Sequence, residues 1–284
     1  MSEKFLTKKS LGQNFLNSQG ALQKIVTVGE LEKKDVVLEI GPGLGALTEK
    51  ILATGARVVA VEKDDRLIEI LGEKFASEIE AGQLKILHQD ILEVEIDGSG
   101  DFTDICGDDY KLIANIPYYI TGQILRKFLE TERQPKIMVV LVQKEVAERI
   151  VARDRKESLL SVSVKVFGES KLVSVVKAGS FNPAPKVDSA ILQIKNISRN
   201  NFDAEGEEGS NEQINFFFEV LRLGFAHKRK TLMHNLKERF DAEMVGEVLD
   251  KLGVREKVRA EDLTAAQWLD LTRILGFSRG LTKV

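Results

Sequence analysis

Asn115-Ile116-Pro117-Tyr118 is the segment of this chain whose residue types carry the most specific chemistry. The exocyclic amine of an adenine ring is a poor nucleophile, because its lone pair is delocalised into the ring. Two acceptors, the Asn115 side-chain oxygen and the Pro117 carbonyl, can hold both of its N–H bonds. The nitrogen is then favoured as a tetrahedral centre whose lone pair points at an electrophilic methyl group. Proline fixes its own φ and has no N–H, which helps its carbonyl keep that geometry. Tyr118 supplies a flat face on which an extruded base can stack. No general base is needed before transfer, since the cationic product sheds its proton afterwards, so the site would work by orientation and electrostatics. The same four residues also suit an ordinary turn after a strand, and their meaning depends on what surrounds them.

What surrounds them is a second constellation. Residues 37–45, VLEIGPGLG, form an apolar run that breaks at Gly41, Pro42 and Gly43 and then enters a helical pattern. Glycines there allow a tight turn and a close backbone approach to a ligand, and the start of the helix offers N–H groups. The spacing is GxGxG, not the GxGxxG of a dinucleotide fingerprint. Glu62 ends the next apolar run about twenty residues on, where an acid can accept both hydroxyls of a ribose. Asp90 follows the third run, where it can accept from an adenine amine. Each acid alone is more often a solvated strand end. At the carboxyl ends of successive parallel strands they converge on one crevice, the binding place of a nucleoside cofactor.

The elements that must position these residues follow from periodicity. Strands are predicted at 36–40, 57–62, 84–88, 111–115, 137–142, 171–177 and 190–195, with helices at 46–53, 66–76, 121–130, 144–151 and 159–167. Runs that are apolar throughout suit a sheet covered on both faces, and the alternation implies a doubly wound α/β sheet of seven mostly parallel strands. The last two strands have no clear helix between them, which suggests an antiparallel end. Residues 196–211 are polar and acidic and read as a linker. Helical patterns at 212–239, 242–252 and 264–275 make a small all-helical domain. The expected division is therefore a domain at 1–195, the linker, and a helical domain at 212–284.

Composition sets bounds. The 284 residues are 30% charged and 43% hydrophobic, with a formal net charge of -3, so no global basic field announces a nucleic acid. A local basic face is what matters. The single Cys106 excludes an internal disulfide, and with three histidines no metal is expected. No apolar run reaches membrane-spanning length and the N-terminus lacks a signal-peptide core, so a cytoplasmic protein without membrane attachment is expected. Lys228, Arg229 and Lys230 form the densest basic cluster. Such a run is usually a solvated helix face, yet here it is a candidate for phosphate contacts. Lys4, Lys8, Lys9, Lys144, Arg149, Arg153, Arg155 and Lys156 could extend it as a rim. Trp268, His88, His234 and Cys106 are read as structural, and the polar stretch 97–109 as a surface loop.

Taken together, Leu11-Gly-Gln-Asn-Phe-Leu16, residues 39–45, Glu62, Gln89-Asp90, Asn115–Tyr118 and Phe181-Asn-Pro-Ala-Pro-Lys-Val-Asp-Ser-Ala190 are similar, in order and spacing, to the ribosomal RNA adenine dimethylase family. The resemblance runs from about Leu11 through Leu236. It implies a Rossmann-like methyltransferase fold and S-adenosylmethionine as cofactor. It also implies two methyl transfers to each of two adjacent adenosines near the 3′ end of 16S ribosomal RNA, in the pre-30S subunit. By the same resemblance, Asn14 and Leu16 close over the methionine end of the cofactor, while Gly41, Gly43, Glu62, Asp90 and Asn115 contact the rest. Phe181 would give a second aromatic face, sandwiching the base with Tyr118. The helical-domain sequence 225–236 resembles the small-subunit branch more than the antibiotic-resistance branch acting on large-subunit RNA, though His227-Lys228 departs from an arginine-like pair. A monomer that also serves in subunit assembly is expected. A ribosome-assembly factor without catalysis and a dinucleotide oxidoreductase are the alternatives.

Overall fold

A computed structural model of the chain describes residues 12–96, 106–107, 109–202, 211–255 and 257–277. The predicted loop at 97–109 and Lys4, Lys8, Lys9 and Leu11 lie wholly or mostly outside those residues. Contacts divide the chain into two compact units, Met1–Ala147 with Ser170–Ile197, and Glu148–Glu169 with Ser198–Val284.

In chain order the first unit holds β1 (Phe15–Leu16), α1 (Gln19–Val28), β2 (Val36–Ile40), α2 (Ala46–Leu52), β3 (Arg57–Glu62), α3 (Asp65–Lys74), α4 (Ala76–Glu80), β4 (Leu84–His88), β5 (Tyr110–Asn115), α5 (Thr121–Glu130) and β6 (Met138–Gln143). After α6 (Lys144–Ile150) and α7 (Leu159–Lys165) the chain returns through β7 (Glu169–Val176), β8 (Phe181–Asn182) and β9 (Ser189–Lys195). Seven of these strands form one sheet in the order β4-β3-β2-β5-β6-β9-β7. The five from β4 to β6 are parallel, and β9 runs antiparallel to β6. The expected α/β sheet and its antiparallel return are therefore present. Strands such as β6, buried at Met138 to Val142, are apolar on both faces because helices cover both. The order reverses between β3 and β5 on either side of β2, and ligands of open sheets bind at such a switch, beyond the carboxyl ends.

Three elements are absent from the sequence reading. The helix α1 is short but amphipathic, burying Leu22, Ile25 and Val26, and Ser18 caps it by accepting from the Ala21 amide. The two-residue strands β1 and β8 pair antiparallel, Phe15 with Asn182 and Leu16 with Phe181. Such short strands carry no alternation to detect. The predicted helix 66–76 also breaks at Phe75, whose φ of -115° and ψ of 29° separate α3 from α4.

The second unit holds α7, α8 (Asn211–Gly224), α9 (Leu232–Leu236), α10 (Ala242–Lys251) and α11 (Ala265–Phe277). Its core is aromatic. Trp268 is fully buried, stacks on Phe225 with centroids 5.5 Å apart, and donates through Nε1 to the Ala260 carbonyl at 3.3 Å. Phe167, Phe202, Phe217 and Phe218 form a second cluster. The single helix expected over 212–239 is in fact two. The Asn235 side chain donates to the Gly224 carbonyl at 2.5 Å, ending α8, and the Thr231 hydroxyl accepts from His234 to start α9.

The contact division also differs from the sequence division at 195. Segment 148–169 packs with the helical unit, burying Val162, Val164, Val166 and Phe167. Part of the expected linker packs there too: Ser198 donates to the Phe167 carbonyl at 2.9 Å and Phe202 is buried against Phe167. Residues 203–210 of the linker lie outside the described ones.

Candidate active site

Because β2, β3, β4 and β5 are parallel and in near register, their carboxyl ends deliver their following residues to one place. There the first unit has a cavity of about 350 Å³. Its lining includes Gly41 and Gly43 after β2, Glu62 at the end of β3, Asp90 after β4, and Asn115, Pro117 and Tyr118 at and after β5. Asn14 and Leu16 line it from the N-terminal side. The structure thus brings together all of the predicted cofactor residues and three of the four predicted catalytic ones.

Gly41 takes a φ of +66°, and its amide donates to the Val61 carbonyl at 2.9 Å, so the turn is locked to β3. A side chain there would be strained and would enter open space on the cavity lining. Glu62 is 7% exposed and accepts three backbone N–H bonds. Its Oε2 takes Gly43 at 3.2 Å, and its Oε1 takes Lys63 and Asp64, each at 2.8 Å. Burial still pushes its carboxyl up, against these donors. One carboxylate thus fixes the glycine turn, and the second lone pair of Oε2 remains as an acceptor. At Asp90 burial raises the carboxyl, but the Lys63 ammonium, 2.5 Å from Oδ2, and the Leu92 amide outweigh it and hold the pKa below the ordinary value. An ionised Asp90 is a strong acceptor.

The amine half is built by a tether. The Asn115 Nδ2 donates to the backbone carbonyl of Asn14 at 3.1 Å, and the Asn14 side chain donates to the Gly12 carbonyl at 3.0 Å. With its nitrogen committed to the N-terminal segment, Asn115 offers its oxygen as the acceptor in the cavity. Pro117 sits at φ -55° and ψ 130°, and its carbonyl accepts from Ile120 at 3.2 Å as the chain turns into a short 3₁₀ segment. One lone pair of that carbonyl is therefore used in the turn, and Ile116, also on the cavity lining, brings a neighbouring carbonyl. Tyr118 is half-buried, and its hydroxyl shares a 2.7 Å hydrogen bond with the buried Ser189 of β9. Burial raises the phenol pKa, with Ser189 opposing, so the ring stays neutral.

Phe181 does not join this group. It is 5% exposed, pairs with Leu16, and belongs to the main hydrophobic core rather than to the cavity lining. Lys228, Arg229 and Lys230 belong to the second unit and are exposed, but they lie in the turn between α8 and α9 and not on a helix face. Residues missed in the sequence include Glu39, Gln13, Lys63 and Ser189. Gln13 donates to the buried Asp64 at 2.8 Å, anchoring the N-terminal segment over the cavity. Glu39 had a visible signal, a charged residue inside an otherwise apolar strand, and Gln13 and Ser189 fall within the blocks that carry the family resemblance.

The cavity fits a nucleoside with a flexible tail: a bare glycine turn, an acceptor for hydroxyls in Glu62, and an ionised acceptor in Asp90. Among the described residues no helix is long and apolar enough to cross a membrane.

Comparison with known proteins agrees with this geometry. Residues 4–276 match the family model described as ribosomal RNA adenine dimethylase. The ribosomal RNA small subunit methyltransferase A of Dehalococcoides mccartyi (strain CBDB1) is 42% identical over 268 residues, covering 93% of this chain and 87% of that protein. The protein of the same name from Bacillus cereus (strain AH187) is 36% identical over 280 residues, 95% and 92% of the two chains. Among solved structures, a dimethyladenosine transferase from Plasmodium falciparum superposes with a TM-score of 0.76 at 27% identity, over 94% of this chain and 98% of that one. The 23S rRNA methyltransferase ErmE superposes with a TM-score of 0.70 at 25% identity, over 92% and 99%.

Proposed function

Because this chain belongs to the ribosomal RNA adenine dimethylase family, we propose that it dimethylates the N6 amines of two adjacent adenosines near the 3′ end of 16S ribosomal RNA. The enzyme is an S-adenosylmethionine-dependent adenine methyltransferase with a Rossmann-like fold. When bound, the cofactor supplies an electrophilic methyl on a sulfonium sulfur.

The observation that carries this reading is the commitment of the Asn115 amide nitrogen to Asn14, which leaves its oxygen as an acceptor in the cavity of Glu62 and Asp90. Glu62 accepts ribose hydroxyls through Oε2 and Asp90 accepts from the cofactor's adenine amine. Gly41 and Gly43 admit the ligand against bare backbone, and Asn14 and Leu16 close over its amino-acid end. The Asn115 oxygen and a backbone carbonyl of the Ile116–Pro117 pair hold the two N–H bonds of the target amine. Its lone pair is thereby directed along the axis of transfer. After the first methyl, one N–H remains, and one of these acceptors holds it for the second transfer. The base stacks on Tyr118, whose ring Ser189 fixes. The proton of the cationic product passes to solvent, and no side chain is required as general base. Catalysis is positioning and electrostatic preorganisation.

The substrate is the 16S RNA of the pre-30S subunit, met by a monomer in the cytoplasm. Lys228, Arg229 and Lys230 neutralise phosphates, and methylation accompanies a step of subunit assembly. Purified protein, labelled cofactor and undermodified small subunits, followed by nucleoside analysis, test the reading. N6,N6-dimethyladenosine is the expected product, and its absence overturns the proposal. An Asn115→Ala variant that still supports assembly would separate the binding role from methylation.

A further inference from the structure

Three aromatic side chains line the cavity, Phe15, Tyr118 and Tyr119, and the first two are held by the fold. Phe15 packs on the glycine turn, where a β-carbon on Gly43 would stand 2.9 Å from its ring. Tyr118 is half-buried and tied to Ser189. Tyr119 is different. At 63% exposure it is the most open large hydrophobic side chain among the described residues, although it follows Tyr118 directly and lines the same cavity.

The local backbone explains the divergence. Residues 118–120 make one 3₁₀ turn, in which successive side chains point about 120° apart. With Tyr118 directed at β9, Tyr119 is turned to the rim. Bare backbone backs its ring there, since Gly12 has a φ of +61° and a β-carbon on it would stand 3.2 Å from Cε1. At the other end, the Lys63 ammonium is held charged first by Asp90 and then, more weakly, by the phenol of Tyr119. The ring thus spans the mouth from the N-terminal segment to the Lys63–Asp90 pair, with most of its surface open to solvent.

A single exposed ring is ordinary on a protein surface. This one stands where a base must enter, and that position suits one occupant. Extruding an adenine from a strand leaves its neighbour without a stacking partner. Proteins that read single-stranded RNA place such splayed bases on aromatic faces. We propose that Tyr119 stacks the base next to the extruded adenosine in the RNA chain, while Tyr118 stacks the adenine inside. This rests on the adenine-methylation reading above. Two adjacent targets have different neighbours, so the rim needs a platform that tolerates both. Stacking does so, because every base has a π-face.

Methyl transfer by the full chain to small subunits reconstituted with 16S RNA tests the proposal. Two further RNAs carry one abasic nucleotide each, in place of one or the other adenosine of the pair, and the remaining adenosine is the target. On intact RNA, Tyr119→Ala is expected to raise KM for the subunit about tenfold, the size of one base–aromatic stack, with kcat within about threefold. Tyr119→Phe keeps the face and is expected to stay within about twofold of the wild type. On one of the two abasic RNAs the wild type is expected to show the same rise, and Tyr119→Ala no further one. The RNA that behaves so tells on which side the stacked neighbour lies.

An unchanged KM in Tyr119→Ala overturns the proposal. So does a rise in that variant as large on both abasic RNAs as on intact RNA, which would make the ring a support for the N-terminal segment. A loss of about tenfold in its affinity for S-adenosylhomocysteine would give the ring to the cofactor instead, and overturns it too. Should thermal unfolding show that Tyr119→Ala does not fold, equal KM values of the wild type for all three RNAs still overturn the proposal. Wild-type protein that binds S-adenosylhomocysteine yet forms no N6,N6-dimethyladenosine on intact RNA overturns the methylation reading, and this proposal with it.

Discussion

The sheet unit and the helical unit differ in their buried polar groups: among the described residues the sheet unit buries carboxylates and the helical unit buries only amides and hydroxyls. In the sheet unit Glu39, Glu62 and Asp64 are buried at the carboxyl ends of β2 and β3 or just beyond, and the two glutamates line a cavity. In the helical unit the buried polar side chains are turned on the unit's own backbone. Asn235 donates to Gly224, and Thr272 donates to the Leu269 carbonyl at 2.9 Å. The core there is aromatic and centred on Trp268. A buried amide or hydroxyl spent on the neighbouring backbone is structure, whereas carboxylates gathered around a cavity leave acceptors for a ligand. The helical unit should therefore respond to core mutations in stability, and the sheet unit's crevice in chemistry.

Trp268→Ala gives the largest expected effect. Gly224 lies so close to the indole that a β-carbon there would stand 2.3 Å from Cη2, so removing the ring opens a cavity beside α8. Denaturant unfolding should show a loss of about 3–5 kcal/mol. Affinity for S-adenosylhomocysteine, measured where the variant is still folded, should stay within about twofold, well under the 1.4 kcal/mol of a tenfold change. A folded variant that had lost cofactor affinity would break the division between the units.

Next comes Asn115→Ala. It removes an acceptor from the transferring amine and releases the N-terminal tether to Asn14. The rate constant kcat is expected to fall by about 10²–10³, the cost of losing one preorganised transition-state contact. Unfolding stability should change by less than about 1 kcal/mol. A stability loss matching the rate loss would mean that this crevice residue is structural after all.

The same contrast explains what could be read in the sequence. The parallel strands were legible because both faces are covered, so runs such as MVVLV are apolar without interruption. Gly41, Glu62 and Asp90 were legible because successive parallel strands necessarily end together. Glu39 went unread because a strand pattern says which residues are buried, not whether a buried carboxyl has partners. Phe181 stands apart from the cavity lining for a related reason. The resemblance gives the residue type, but not that β8 pairs with β1 and leaves Phe181 buried. In the helical unit, periodicity runs unbroken from α8 into α9, and the break depends on two side chains, Asn235 and Thr231, that meet the backbone only after folding. The placing of α7 with the helical unit depends on tertiary packing, which no local pattern encodes.

That break sharpens the comparison at its smallest expected effect. The turn it creates carries Lys228, Arg229 and Lys230, all exposed, and the Lys230 amide donates to the His227 carbonyl at 2.9 Å. Side chains on such a turn contribute little to the fold, so replacing all three with glutamine should leave unfolding within about 0.5 kcal/mol of the wild type. If they meet phosphates, the slope of log affinity for RNA against log salt should become shallower by about 2 units. Affinity at moderate salt should then fall by about tenfold, and kcat at saturating RNA should hold, because phosphate contacts set register and not chemistry. An unchanged salt slope would leave the helical unit as structure alone, whereas a fall in kcat at saturation would give this turn a share in the chemistry now assigned to the sheet.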